Sequence, residues 1–187
     1  MHANAIVSHD SELLVLVDRD DQAIGHLDKK SCHDGGGQLH RAFSLFVFNP
    51  AGEVLMQQRA ADKRLWPGFW SNSCCSHPRQ GEQLHDAVVR RSAEELGITV
   101  VPRYLYKFEY QASFEDRGSE YELCSVFVAN FSGQVEVNTT EIDAWQWISK
   151  EALSQALADK PEQFTPWFKL EWDRLNREFA AELAPAV

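Results

Sequence analysis

Long apolar runs, basic residues and paired cysteines are all missing or scarce in this chain of 187 residues. No segment reaches the roughly 18 consecutive apolar residues of a transmembrane helix, so no membrane span is expected. Residues 1–4 include no basic region ahead of an apolar stretch, which predicts no signal peptide. Lysine and arginine total 18 against 28 acidic residues, a net charge of −10. Because general nucleic-acid binding needs a basic face, no nucleic-acid partner is expected, and an anionic substrate would need a locally basic mouth.

The four cysteines, Cys32, Cys74, Cys75 and Cys124, contain no CxxC pair. This spacing argues against a zinc ribbon and against a disulfide scaffold. We therefore expect reduced thiols and a cytoplasmic location.

Composition favours a packed globular domain, since 44% of the residues are hydrophobic and 25% are charged. Strand-like and helix-like segments mix without regular βαβ alternation, which predicts one α/β domain with a mixed sheet between helices. Strands are predicted at residues 12–18, 43–48, 53–58, 120–129 and 144–148, helices at 83–96, at 150–158 and from 166 onward, and a flexible loop at 29–40.

The last helix has the clearest signals. Thr165 can cap it, and Pro166 occupies the first helical position, where proline is favoured. Core packing is the expected role of the apolar stripe that follows at helical spacing, namely Phe168, Trp172, Leu175, Phe179 and Leu183.

The segment at residues 72–78 carries the densest group of reactive side chains. Cys75 lies two residues before His77, so its thiol could be a reactive one whose pKa is lowered by the imidazole or by a metal. The alternative is that one cysteine packs in the core and the other is incidental. In an extended segment Cys75 and His77 face one side and Cys74 the other.

Histidines and carboxylates elsewhere suggest a metal site. His33 and His40 flank the glycine loop, and imidazoles combined with carboxylates suit a transition metal. Glu120 and Glu122, at i and i+2 on a strand, project from one face and repel unless a cation or proton lies between them. The alternative is a solvated strand face.

The helix at residues 83–96 pairs Arg90 with Glu94 and Arg91 with Glu95, which is also typical of a solvated surface helix. The segment resembles the Nudix box, a motif of diphosphate hydrolysis on Mg²⁺. It matches the box at Glu82, Arg90, Glu94, Glu95, Gly97 and Ile98, and it departs from the box at Ser76, Arg91 and Ser92. A basic residue at position 91 weakens the hydrolase interpretation.

These departures match one branch, because the stretch at residues 27–172 resembles the type I isopentenyl-diphosphate isomerases. The matching segments are Leu39-His40-Arg41-Ala42-Phe43-Ser44, Trp66-Pro67-Gly68-Phe69-Trp70, residues 72–78, residues 90–97, Glu120-Tyr121-Glu122 and Phe164-Thr165-Pro166-Trp167. The resemblance implies a monomeric, single-domain Nudix-type α/β/α sandwich at residues 1–187, with a core at about 27–172 and short terminal extensions. It implies an enzyme of isoprenoid biosynthesis that interconverts isopentenyl and dimethylallyl diphosphate. The alternatives are a Nudix diphosphate hydrolase and a non-enzymatic, metal-stabilised interaction module.

The resemblance also implies a role for each matching residue. Cys75 and Glu122 would transfer protons, and Tyr110 would hydrogen-bond near Glu122. Trp167, and by extension Trp70, would face the hydrocarbon. Mn²⁺ or Zn²⁺ would be bound by His33, His40, His77, Glu120 and Glu122, while Glu95 would bind Mg²⁺ carried in on the small-molecule diphosphate, which Lys29, Arg59, Lys63 and Arg91 would contact.

Overall fold

The computed structural model describes residues 5–183 and shows a mixed sheet between helices. The signal-peptide expectation falls on residues 1–4, which lie outside the described residues. No helix within residues 5–183 is long and apolar enough to span a bilayer. In chain order the elements are β1 (Leu13–Val17), β2 (Ala23–Asp28), α1 (Lys29–Cys32), β3 (His40–Phe48), β4 (Val54–Arg59), β5 (Trp70–Ser71), β6 (Cys74–Ser76), α2 (Leu84–Leu96), β7 (Arg103–Phe114), β8 (Gly118–Asn130), β9 (Ile142–Ile148), α3 (Lys150–Asp159) and α4 (Pro166–Glu178), with 3₁₀ turns at Pro161–Gln163 and Ala180–Leu183.

Strand β3 forms the centre of the sheet and is apolar along most of its length because both of its faces are covered. Phe46 and Phe48 pack on one side, in the core that includes α4 and α3. Phe43 and Leu45 pack on the other side, against α2. The predicted α/β/α arrangement is therefore confirmed.

Four strands pair with β3 and bring distant parts of the sequence together. Strand β3 runs parallel to β8, antiparallel to β6 and β1, and meets β4 at a hairpin bridge. The parallel register places His40 opposite Glu122, and the antiparallel one places Ser44 opposite Cys75.

Most predicted elements are present, with boundaries shifted by a few residues. Helix α2 ends at Gly97, whose φ of 67° fits a left-handed cap. Thr165 lies at the N-cap of α4, but its hydroxyl bonds to that of Ser71 at 2.9 Å and makes no cap hydrogen bond. Strands β2, β5 and β7 were not predicted, and β6 was expected only as an extended segment. Half of the residues in β2 and in β7 are exposed, so these two strands lack the apolar run that marked the predicted strands. Strand β5 has only two residues.

The loop prediction for residues 29–40 was wrong at its start, where α1 forms a helical turn. Asp28 caps it by accepting a hydrogen bond from the Ser31 backbone N–H at 3.0 Å, an N-cap signal that the prediction missed. The glycines that follow are fastened to the sheet: the carbonyl of Gly35 accepts from Ser119, and that of Gly36 accepts from Gln111, both at 2.7 Å.

Candidate metal centre and active-site cavity

Five side chains converge at one end of the sheet. His33 follows α1, His40 begins β3, His77 follows β6, and Glu120 and Glu122 project from one face of β8. Their ligand atoms all lie within 4.8 Å of one another. The cluster forms because α1 is anchored beside the start of β8 and because β3 pairs with β8. All five residues of the predicted set are brought together.

Hydrogen bonds orient the imidazoles so that their free nitrogens point inward. Nδ1 of His33 lies 2.6 Å from the carbonyl oxygen of Lys29, and Nδ1 of His40 lies 2.8 Å from that of Gln38. Because a carbonyl accepts but does not donate, each Nδ1 carries a proton and leaves Nε2 directed at the cluster. Nε2 of His40 lies 3.1 Å from Nε2 of His77. Two nitrogens at this distance need a proton or a cation to link them.

The charges of the cluster also require a positive centre. Burial alone would raise the pKa values of Glu120 and Glu122, but the nearby imidazoles lower them, so both groups are carboxylates. Burial alone would lower the pKa of His40, yet its contacts with the buried thiol of Cys32 and with Glu122 raise this pKa to about 10. Burial, followed by the charges of His40 and His33, lowers the pKa of His77, so its imidazole is neutral.

This donor set fits a divalent metal ion. Nε2 of His33 and Oε2 of Glu120 are buried and lie 2.7 Å apart, an ion-pair distance, and neither atom has another hydrogen-bond partner within residues 5–183. Because Nδ1 of His33 carries the proton, Nε2 of the neutral ring faces the carboxylate with a lone pair, so a proton or a cation is needed between the two atoms. Three imidazole nitrogens and two carboxylate oxygens are suitable ligands for such an ion.

Strand β6 presents its two cysteines to opposite faces, as expected for an extended segment. Cys74 is fully buried in the core on the α2 side, whereas Cys75 lines the same cavity as His77. We expected the pKa of Cys75 to be lowered, and for the polypeptide without a bound ion this prediction was wrong. Burial raises the pKa of this thiol to about 12, because the charge of Arg59 offsets only part of the cost of desolvation. A neutral thiol is suited to donating a proton rather than to nucleophilic attack.

The two carboxylate oxygens of Glu122 have different partners. Its Oε1 lies 3.1 Å from Nε2 of His77, and its Oε2 accepts a 2.6 Å hydrogen bond from the hydroxyl of Tyr110. Tyr110 lies directly opposite Glu122 in the antiparallel pairing of β7 with β8. Burial, and then the charge of Glu122, raises the pKa of Tyr110, so the hydroxyl remains a donor.

Basic residues line one part of the cavity, its basic mouth. Because the protein has a net negative charge, an anionic ligand would need such a local concentration of positive charge. Burial and the positive charges of Lys63 and Arg91 lower the pKa of Lys29, a sign that three cations converge. Glu141 partly balances them: its carboxylate pairs with Lys63 and lies 3.4 Å from Nη2 of Arg91. The cavity occupies about 460 Å³, and the basic residues that line it are Lys29, Lys30, Arg59, Lys63, Arg64 and Arg91.

Arg91 is buried at this mouth and not exposed on a surface helix. Its Nε donates to Glu95 at 2.9 Å, and its Nη1 donates to the carbonyl of Val7 at 2.7 Å. Both Arg91 and Glu95 line the cavity. The surface-helix alternative is therefore wrong for this pair, while the pair of Arg90 with Glu94, at 3.0 Å, is partly exposed.

One wall of the cavity is aromatic. Trp167, in the first turn of α4, lines the cavity and packs against Trp66 with ring centroids 5.2 Å apart and planes at 89°. The guanidinium of Arg59 lies 5.4 Å from the centroid of Trp167. Trp70, which was expected to share this role, does not line the cavity; it packs against the core, and its carbonyl accepts from the backbone N–H of Thr165.

Two acidic residues near the site were missed from the sequence. Glu141 belongs to no motif and lies in a turn, so no local signal pointed to it. Glu171 is fully buried on α4, one turn after Trp167 and one before Leu175, so the apolar stripe of this helix could have identified it. Its Oε1 lies 3.6 Å from Sγ of Cys124.

Known proteins match the chain over most of its length. A family model described as the NUDIX domain matches residues 38–168. The chain is 46% identical over 171 residues to isopentenyl-diphosphate Delta-isomerase 1 of Photorhabdus laumondii, an alignment that covers 90% of this chain and 97% of that protein. It is also 46% identical to the isopentenyl-diphosphate Delta-isomerase of Burkholderia multivorans, with 84% and 89% of the two chains covered.

Solved structures agree on the fold. The MutT protein of Methanosarcina mazei superposes with a TM-score of 0.63 at 22% identity, covering 75% of this chain and 95% of its own. A MutT Nudix hydrolase of Burkholderia pseudomallei gives a TM-score of 0.58 at 20% identity, with 74% and 98% covered. At these identities the likeness concerns the arrangement of strands and helices alone.

Proposed function

The chain belongs to the Nudix family and, within it, to the isopentenyl-diphosphate Delta-isomerases, and from this membership we propose how its residues divide the work of the reaction. The enzyme interconverts isopentenyl and dimethylallyl diphosphate by protonation and deprotonation. The observation that carries the assignment of roles is that Cys75 and Glu122 line one cavity, between a basic mouth and an aromatic wall.

Cys75 and Glu122 are the two proton-transfer groups. Moving a double bond by one carbon requires a proton to be added at one carbon and another removed two carbons away. The neutral thiol of Cys75 is ready to donate, and the carboxylate of Glu122 is ready to accept; the reverse reaction exchanges these roles. The hydroxyl of Tyr110 holds Oε2 of Glu122 in place.

Trp167 protects the positive charge that protonation creates on the carbon skeleton. Its indole face can stabilise a carbocation without reacting with it. Trp167 is 3% exposed, so the cavity wall that it forms also excludes water that would trap the cation.

The diphosphate binds at the basic mouth through Lys29, Arg59, Lys63 and Arg91. The buried cluster binds Mn²⁺ or Zn²⁺ through His33, His40, His77, Glu120 and Glu122, and Glu95 binds Mg²⁺ that accompanies the substrate. When bound, these ions supply positive charge that keeps the carboxylates ionised and offsets the charge of the diphosphate. Membership of the isomerase family, together with the buried Arg91 on the box helix, favours this function over a diphosphate hydrolase.

We further propose a monomer with a single domain at residues 1–187, a core at about 27–172, and a reducing, cytoplasmic environment. All four cysteines are free thiols, which suits such an environment. Gel filtration with light scattering tests the monomer, for which one 21.3 kDa chain per particle is expected.

Incubation of isopentenyl diphosphate with the metal-loaded enzyme and Mg²⁺ in deuterated water tests the function. Dimethylallyl diphosphate carrying deuterium is the expected product, and release of phosphate without it would support a hydrolase. Glu122→Gln should abolish turnover because an amide cannot shuttle the proton. Bound metal is measured alongside, since normal turnover by a metal-loaded variant would refute the assignment of Glu122.

A further inference from the structure

Arg59, at the end of β4, holds the loop that follows it. Its Nη2 lies 2.9 Å from the carbonyl oxygen of Leu65, and its Nε lies 3.2 Å from that of Trp66. The backbone of Arg59 is fastened to the same loop, because its N–H donates to the carbonyl of Phe69 and its carbonyl accepts from the N–H of Gly68, both at 2.9 Å. Main chain and side chain of one residue thus fix residues 65–69.

The held loop contains a strained residue. Trp66 has a φ of 47°, in the left-handed region that bulky side chains rarely adopt. Such a conformation persists only where the surroundings enforce it. Arg59 binds the carbonyl on each side of the Trp66 Cα: that of Leu65, just before it, and that of Trp66 itself.

The strained residue in turn orients the aromatic wall. The ring of Trp66 is 4% exposed and lies between Trp167 and Phe114, with ring centroids 5.2 Å from each. Its edge-to-face packing fixes the tilt of the Trp167 indole. Arg59 also contacts Trp167 directly, through the guanidinium that lies over its ring.

One nitrogen of the Arg59 guanidinium, Nη1, does not take part in holding the loop. The bonds to the loop use Nε and Nη2, and Nη1 takes part in none of them. Arg59 lines the cavity together with Lys63, but the ammonium of Lys63 pairs with Glu141 and not with the carbonyls of Leu65 and Trp66. Of these two basic residues, Arg59 is the one that both lines the basic mouth and contacts Trp167 in the aromatic wall.

We propose that Arg59 is a positioning residue that couples occupation of the anion site to the orientation of the Trp167 indole, through the loop that carries Trp66. The proposal rests on the proposed function for the identity of the anion. A diphosphate oxygen held by Nη1 fixes the guanidinium plane, and this plane sets both the loop carbonyls and the ring beneath it. A lysine retains the positive charge but cannot bind two carbonyls in a fixed plane while stacking on an indole.

The test uses the metal-loaded enzyme labelled with 5-fluorotryptophan and observed by ¹⁹F NMR, with magnesium pyrophosphate as the probe. Trp66→Phe and Trp167→Phe assign the two resonances. Pyrophosphate should shift the Trp167 resonance in the wild type. In Arg59→Lys, pyrophosphate should still bind but the Trp167 shift should be lost, and kcat should fall about tenfold or more with a smaller change in KM. The matched control, Lys63→Gln, should raise KM and keep the Trp167 shift.

Trp66→Leu provides the second test, since it removes the edge contact and leaves Arg59 in place. Pyrophosphate affinity should stay within about twofold of the wild type, while the Trp167 shift is reduced. An unchanged Trp167 shift in either Arg59→Lys or Trp66→Leu would overturn the coupling and leave Arg59 as an anion ligand only. The absence of any shift in the wild type would overturn it as well. None of these readouts needs turnover, so a failure of the isomerase assignment would be seen separately, in the deuterium experiment.

Discussion

At the scale of single residues, two adjacent cysteines have different surroundings: Cys74 packs in the core and Cys75 lines the cavity. Cys75→Ala should keep the fold and lose about 10² to 10⁴-fold in kcat, because a general acid-base group is removed. Cys74→Ala should keep most activity and lose about 1–2 kcal/mol of stability, because it leaves a small gap in the core. Isomerase kinetics and urea unfolding of both variants measure these effects.

Labelling provides a further check on the same pair. An alkylating agent should modify Cys75, which lines the cavity, and spare the fully buried Cys74. Labelling should be slow without metal, since burial raises the pKa of Cys75 and the thiolate is the reactive form. Peptide mapping that finds the label on Cys74, together with an inactive Cys74→Ala, would move the catalytic assignment by one residue.

Glu171 is a buried acid that the proposed mechanism does not use. Burial raises its pKa to about 8 from the ordinary 4.5, and its Oε2 makes no hydrogen bond within the described residues. The groups that face it are Ser44, Cys124, Cys75, Tyr106 and Glu122, none of which carries positive charge. The carboxyl is therefore neutral in the folded protein at neutral pH.

This raised pKa predicts a pH-dependent stability. The contribution of Glu171 is fully present below pH 4.5 and is lost as the pH rises towards about 8, because the unfolded chain releases the proton first. Glu171→Gln removes this dependence, so the stability of the variant relative to wild type should improve between pH 5 and about 8. Urea unfolding across this range measures the difference, with Glu178→Gln as a control for loss of an exposed carboxylate from α4. A difference that does not change with pH would contradict the prediction.

At the scale of elements, the turn from β7 to β8 supports His33, the cluster residue that follows α1. Gly118 has a φ of 141°, and a Cβ at this position would overlap the carbonyl oxygen of His33. That oxygen accepts the N–H of Ser119 at 2.9 Å, which fastens α1 to the start of β8. Three residues of the proposed metal site therefore depend on one close backbone approach: His33, Glu120 and Glu122.

Gly118→Ala should displace α1 and weaken metal binding about tenfold or more, because ligand orientation is lost. Gly81→Ala is the matched control: its φ of 77° is also left-handed, but a Cβ there meets nothing within 4 Å. Both variants should lose stability through backbone strain, by about 1–2 kcal/mol at Gly81, while the control retains its metal. Metal titration and thermal unfolding distinguish the two effects. Equal metal affinity in the two variants would show that the turn does not support the site.

At the scale of the whole molecule, metal binding links strands that are distant in the sequence and should therefore stabilise the entire fold. Strong chelators should abolish activity and lower Tm, and one Mn²⁺ or Zn²⁺ per chain should restore both. A metal at 100 times its Kd contributes about 2.7 kcal/mol. His40→Ala should lose the metal and its effect on Tm, while His85→Ala, at an exposed position, should not. Full activity of chelated protein with Mg²⁺ alone would refute the buried site.

The sequence predicted the local features well. Helix α2 and its cap at Gly97, the buried stripe of α4 and the opposite orientations of Cys74 and Cys75 follow from periodicity and cap chemistry, which act over a few residues. The resemblance to the family supplied the five proposed metal ligands, because their spacing along the chain does not show that they meet.

Tertiary structure alone decided how these pieces meet. The parallel register places His40 opposite Glu122, and a turn brings Glu141 to both Lys63 and Arg91; these pairs join residues that are about 50 to about 80 positions apart. The high pKa of Cys75 and the neutral state of Glu171 depend on how completely other elements remove water from them. Strand pairing and desolvation are sums over distant parts of the chain, so no local pattern of residues encodes them.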